Sequence, residues 1–141
     1  MIPRLFTLAA AGVLLAAAGA ASAQAASARS AGAARAAGDA AMGKTVFTQQ
    51  CALCHSASAG QEGQAPSLYG VVGRKAASEP GFPAYSTPLK SSKLTWTPAN
   101  LDKFLSGPTS LVPGTAMPVS LASARDRRNV VAYLASLKKA R

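Results

Sequence analysis

Histidine and tryptophan each occur once in the 141 residues, cysteine occurs twice, and Asp and Glu together number 5 against 15 Lys and Arg. Two cysteines leave room for at most a single disulfide. With one histidine and no second ligand pair in the chain, a four-ligand structural zinc site is excluded. Aromatics make up only 6% of the residues and are not interleaved with the basic ones, as a stacking platform for single-stranded nucleic acid requires. Much of the 49% hydrophobic content is alanine from the first forty residues, so the core is thinner than the average implies.

Long apolar runs are confined to the N-terminus. Met1 to Arg4 carry one positive charge, Leu5 to Ala18 are apolar, and Ala21-Ser22-Ala23 has the small-x-small pattern of a cleavage site. Residues 1–23 therefore read as a secretory signal. The alternative is an uncleaved anchor, since Leu5 to Ala23 approaches the roughly 20 apolar residues that a membrane span needs. Alanine, glycine and Thr7 weaken that reading. Residues 24–38 are nearly all Ala, Ser, Gly and Arg without apolar periodicity, the composition of a flexible leader. One domain, 39–141, remains.

The formal net charge is +10, with a pI near 10.3. Such an excess favours acidic protein partners, acidic lipids or nucleic acid. Export and the missing aromatics argue against nucleic acid.

The two cysteines stand in Cys51-Ala52-Leu53-Cys54, and the only histidine, His55, follows at once. Cys-x-x-Cys-His is the attachment sequence for haem c. Residues three apart on a helical turn share a face, so both sulfurs reach the two vinyl groups of one porphyrin while the histidine is carried beneath the iron. A thioredoxin-like dithiol would need an alternating strand and helix frame, which the sequence lacks.

A six-coordinate haem needs another donor, commonly a methionine thioether. Met1 leaves with the signal, and Met42 lies nine residues before Cys51 on the same expected helix. Met117 is left, in Pro113-Gly114-Thr115-Ala116-Met117-Pro118, where two prolines exclude helix interior and central strand and hold the loop extended. The competing role for Met117 is to fill a gap in the core.

Helical periodicity runs from about Ala40 to Cys54, with Gly43, Val46, Phe47 and Cys51 on one face and Gly43 open to a closely crossing helix. The expected partner is the last helix. Ser123 caps it, Asp126 occupies the capping-box position, and Val130, Tyr133, Leu134 and Leu137 form its buried stripe. Lys138, Lys139 and Arg141 follow at the end where the helix dipole favours cations. A third helix begins at Thr97-Pro98, presents Leu101, Phe104 and Leu105, and stops at Gly107-Pro108. Between the first and third, Gly, Pro, Ser and Lys predict loops. The expectation is an all-α domain of three main helices and long loops wrapped around one covalently bound haem.

Taken together, Gly43 and Phe47 before the Cys51–His55 motif, Pro66-Ser67-Leu68, Gly73-Arg74-Lys75, Gly81-Phe82, Tyr85, Trp96, Pro113 to Met117 and Ala132-Tyr133-Leu134 make the chain resemble class I cytochrome c, near the mitochondrial and bacterial c2-like branch. The resemblance covers about Gly43 to Leu137. It implies that the Pro66 carbonyl accepts a hydrogen bond from the second nitrogen of His55, and that Arg74, Tyr85 and Trp96 serve the haem propionates. Read without it, Pro66 is an ordinary turn residue, and Tyr85 and Trp96 are core residues with satisfied polar tips. The chain also departs from the family: Phe104 replaces a tyrosine that bonds the methionine sulfur, Ala116 and Gln50 replace lysines, and Val119 stands where an aromatic often covers the haem edge.

With His55 and Met117 both on iron, no position is open to substrate, and the chemistry left is outer-sphere transfer of one electron. The expected role is a periplasmic carrier, not an enzyme, between a membrane or periplasmic reductase or dehydrogenase and a terminal acceptor such as an oxidase. Its partners would be redox proteins with acidic or mixed docking surfaces, met by a monomer. The rival is a haem enzyme or small-ligand sensor with a labile methionine, against which stands the lack of a distal histidine or another acid or base near the motif.

Overall fold

The structure, a computed structural model, describes residues 24–27, 32 and 37–137. The signal segment, Lys138, Lys139 and Arg141 lie outside the described residues. Within the leader, residues 24–27 form a helical turn, the conformation that alanine-rich sequence favours.

From Ala37 onward the described residues form five helices: α1 (Ala40–Gln50), α2 (Thr87–Ser91), α3 (Pro98–Ser106), α4 (Pro108–Leu111) and α5 (Ala124–Ser136). The only extended pairing among them is an isolated antiparallel bridge between Lys75 and Thr95. The three expected helices are α1, α3 and α5. Two short ones were not foreseen: each has a proline in its first turn, Pro88 and Pro108, but is too brief to show periodicity.

α1 starts where Asp39 accepts hydrogen bonds from the Ala41 and Met42 amides at 2.8 and 3.1 Å. It ends at Gln50, not at Cys54, with Cys51 as its C-cap. The Cys51 and Ala52 amides both bond the Phe47 carbonyl, and the His55 amide bonds that of Cys51 at 2.9 Å, so the cysteine segment is a separate turn after the helix. Asp39→Ala is expected to cost about 1 kcal/mol in urea denaturation, with Asp39→Asn restoring most of it.

α5 is the hub against which both α1 and α3 pack. Ser123 caps it by accepting from the Asp126 amide at 3.2 Å. Its buried side chains are Asn129, Val130, Val131 and Leu134, while Tyr133 and Leu137 are only partly buried. Asn129 breaks the apolar stripe for a reason: its Oδ1 accepts from the Asp39 backbone N–H at 2.9 Å, tying the start of α1 to α5. Gly43 is buried at the crossing, where a Cβ would stand 1.9 Å from the Asn129 carbonyl oxygen. Phe47 and Tyr133 meet beside it, ring centroids 5.4 Å apart.

α3 is capped by Thr97, whose hydroxyl accepts from the Asn100 amide at 3.1 Å. It buries Leu101, Phe104 and Leu105. Trp96, 8% exposed, meets Phe104 edge to face at 5.0 Å between centroids. Phe104 therefore serves as core, and the hydroxyl of a tyrosine is absent from its place.

Candidate functional site

One cavity of about 370 Å³ opens among α1, α3, α5 and the loops, and Cys51, Cys54, His55, Pro66, Tyr85, Trp96 and Met117 all line it. The turn after α1 supplies both thiols and the imidazole within five residues. Cys51 is partly buried, and burial pushes its thiol up to about 11, so it stays protonated at neutral pH. Cys54 is exposed, and neither thiol is in a disulfide.

His55 Nδ1 lies 2.7 Å from the Pro66 carbonyl oxygen. A carbonyl only accepts, so the proton sits on Nδ1 and Nε2 keeps its lone pair for a metal. Burial lowers the His55 pKa below the ordinary imidazole value, and the bond to Pro66 opposes this more weakly. The loop between the two residues is closed by Ala65 N–H to the Cys54 carbonyl at 3.0 Å and Leu68 N–H to that of Ser56 at 2.9 Å. Pro66 is thus fixed as a partner to the imidazole, beyond an ordinary turn role.

Met117 comes to the cavity on a strap pinned at both ends. Its front is a turn, Val112 to Thr115, with the Thr115 amide on the Val112 carbonyl at 3.0 Å, Pro113 second and Gly114 third at φ +80°. That is the residue pattern of a type II turn, which needs a positive φ at its third position. Its back is the Leu121 amide, bonded to the Leu105 carbonyl at the end of α3 at 2.7 Å. The loop is therefore anchored by a turn and a tether, where an extended segment was expected from the two prolines.

The three expected propionate donors separate. Tyr85 and Trp96 line the cavity; Arg74 does not, and borders a second depression with Ser67, Tyr69 and Glu79. Its guanidinium pairs with Glu79 and donates to the Ser67 and Tyr69 carbonyls at 2.7 and 3.3 Å. Arg74 Nε is buried with no hydrogen-bond partner among the described residues. The Tyr85 hydroxyl accepts from the Glu79 amide at 3.2 Å, and burial raises its pKa, so the phenol remains protonated at neutral pH.

Sequence reasoning missed Ser86 and Glu62. Ser86 lines the cavity with a buried Oγ that has no partner among the described residues, beside Tyr85. Glu62 accepts from the Ser67 amide at 2.6 Å through one oxygen and leaves the other buried and unpartnered. Neither follows an apolar period, so neither gave a signal.

Among the described residues, no Asp, Glu, Lys or Arg lines the cavity. An apolar chamber with two free thiols and an imidazole on its wall fits a macrocycle with an apolar body, two points of covalent attachment and a metal at its centre. The orphan Ser86 hydroxyl fits the polar edge of such a group.

The cytochrome c family model matches residues 40–138. Cytochrome c2 of Rhodomicrobium vannielii is 46% identical over 102 residues, covering 71% of this chain and 80% of the relative. Cytochrome c of Euglena viridis is 39% identical over 102 residues, covering 72% and 99% respectively. Among solved structures, cytochrome cH from Methylobacterium extorquens superimposes with a TM-score of 0.64 at 39% identity, covering 70% of this chain and 99% of that one. The chain belongs to the cytochrome c family, as a class I monohaem member of all-α fold that carries haem c on its Cys51 and Cys54 pair.

Proposed function

We propose that this monohaem electron carrier works in the periplasm, taking one electron from a membrane or periplasmic reductase or dehydrogenase and passing it to a terminal acceptor such as an oxidase. The observation that carries the reading is the arrangement of His55 and Met117 on the wall of one cavity that no charged side chain lines. Bound there, haem supplies an iron that changes oxidation state by one. His55 through Nε2 and Met117 through its sulfur would hold that iron.

The Pro66 carbonyl fixes the imidazole tautomer and its plane. Tyr85 and Trp96, which line the cavity, would donate to the propionates, whereas Arg74 is held outside it by Glu79 and the Ser67 and Tyr69 carbonyls. With His55 and Met117 both committed to the iron, and no carboxylate, lysine or second histidine among the described residues that line the cavity, nothing would remain to move a proton to a substrate. That favours a carrier over the enzyme or sensor reading.

Export rests on the signal-like residues 1–23, and no helix among the described residues is long and apolar enough to cross a membrane. Absorption spectra of the holoprotein, oxidised, reduced, and reduced under carbon monoxide, test the closed site. A low-spin spectrum with a methionine-to-ferric-iron charge-transfer band, unmoved by carbon monoxide, is expected. Prompt carbon monoxide binding would bring the sensor or enzyme reading forward.

A further inference from the structure

The peptide group that joins Pro66 to Ser67 is hydrogen-bonded on both sides. Its carbonyl oxygen lies 2.7 Å from His55 Nδ1, and its N–H, carried by Ser67, donates to Glu62 Oε2 at 2.6 Å. Both distances are below the roughly 2.9 Å usual for N–H···O bonds, and a charged acceptor accounts for the shorter one. Glu62 and His55 are thus the two ends of one chain: carboxylate, peptide group, imidazole.

The surroundings fix that chain in place. The Glu62 side chain passes Gly81, where a Cβ would stand 3.1 Å from both its Cγ and its Oε1, and Oε1 is buried with no hydrogen-bond partner among the described residues. Ser67 is 1% exposed, and its Oγ donates to the Ser58 carbonyl at 2.8 Å. Arg74 Nη2 donates to the Ser67 carbonyl at 2.7 Å, which belongs to the next peptide group along the chain. The charged group bonded to the Pro66–Ser67 unit itself is Glu62. Closing this loop does not require a charge, since a glutamine oxygen accepts the same bond, while burying a carboxylate with one oxygen unpaired costs stability.

We propose that Glu62 is a positioning residue for the axial histidine, acting through the Pro66–Ser67 peptide group. A negative charge on the N–H side draws the peptide toward its polar resonance form, so the Pro66 oxygen becomes more negative and a stronger acceptor for the His55 Nδ1 proton. A stronger acceptor on Nδ1 makes Nε2 more basic, which would favour ferric over ferrous iron. In many metal sites a carboxylate bonds the ligating histidine directly; here it stands one peptide group away.

The proposal deepens the electron-carrier reading and rests on it. Its test is Glu62→Gln in the holoprotein, which keeps an acceptor for the Ser67 amide and removes the charge. Two quantities are read: the reduction potential, and the proton resonance of His55 Nδ1–H in the reduced, diamagnetic protein. The ferrous-to-ferric ratio at a fixed applied potential is expected to rise about fivefold, a potential higher by about 40 mV for one electron. The Nδ1–H resonance is expected to move upfield as its acceptor weakens, with the methionine-to-iron charge-transfer band retained.

A raised potential with the Nδ1–H resonance unmoved would overturn the proposal, since the carboxylate would then act on the iron through space alone. Wild-type values of both would overturn it too and leave Glu62 as a loop closure. If the glutamine variant does not mature, Glu62→Asp takes its place: it keeps the charge, draws it back from the Ser67 amide, and carries the same expected upfield shift and the same overturning result. Failure of the carrier reading is separate. Carbon monoxide bound by the reduced wild type would end that reading, whereas the Nδ1–H comparison needs only His55 on the iron and still decides the role of Glu62.

Discussion

Met117→Ala is expected to lower the reduction potential of the holoprotein by on the order of 0.2 V, within the ~0.8 V range over which axial ligands set haem potentials. A thioether favours ferrous iron over ferric, and its loss leaves water or nothing in its place. The same variant should bind carbon monoxide rapidly when reduced and lose the charge-transfer band. The fold should survive. The strap is held by the Val112–Thr115 turn and by the Leu121 bond to Leu105, not by the methionine, which is only partly buried. Potentiometric titration with parallel denaturation separates the two effects, and a potential unchanged from wild type would remove Met117 from the iron.

Gly43→Ala is the second large effect, this time on stability. Alanine gains about 1 kcal/mol over glycine inside a helix. Against this, the new Cβ would lie 1.9 Å from the Asn129 carbonyl oxygen, 2.5 Å from its carbon and 2.8 Å from Tyr133 Cβ. Two of those atoms are backbone in the middle of α5 and cannot step aside, so α1 and α5 must separate. Overpacking of this kind costs about 3 kcal/mol or more, which outweighs the propensity gain. For a domain of this size that corresponds to a melting temperature lower by roughly 15 °C. Gly60→Ala is the contrast: nothing lies within 4 Å of its Cβ, and only the positive φ of +66° opposes it, so a loss of about 1 kcal/mol is expected.

What the sequence disclosed followed from where its signals were local. The Cys51–His55 motif, the Thr97-Pro98 start and the Ser123 cap each lie within a few residues, and each is found where its chemistry requires. The crossing at Gly43 was also legible, because a glycine on an apolar helical face has few other uses. Asn129 was not: a buried amide that accepts from a backbone N–H at a sequence separation of 90 leaves no periodic trace. The end of α1 was misplaced by four residues because Cys51 and Cys54 suit a helical face as well as the turn they form. Arg74 was assigned to the cofactor through the family resemblance alone, and its pairing with Glu79 depends on how a loop closes, which no short-range pattern records. The type II turn at Pro113-Gly114 was present in the residues, yet the two prolines were read as stiffening the strap and not as bending it.

The α1–α5 crossing has a further meaning for how the chain folds. It joins the first helix of the domain to the last, and the Asp39–Asn129 bond closes a loop spanning 90 positions. In an unfolded chain, closing such a loop costs about 4 kcal/mol of entropy beyond a constant, before any contact between the helices repays it. Pairing of the two ends is therefore a late and slow event if it depends on chance encounter. Covalent attachment changes the problem. A haem fixed at Cys51 and Cys54 sits at the end of α1, and any grip on it by the strap at Met117 brings α5 within a few residues of its partner. The group that carries the electron would thus also shorten the search by which the two ends of the domain find each other.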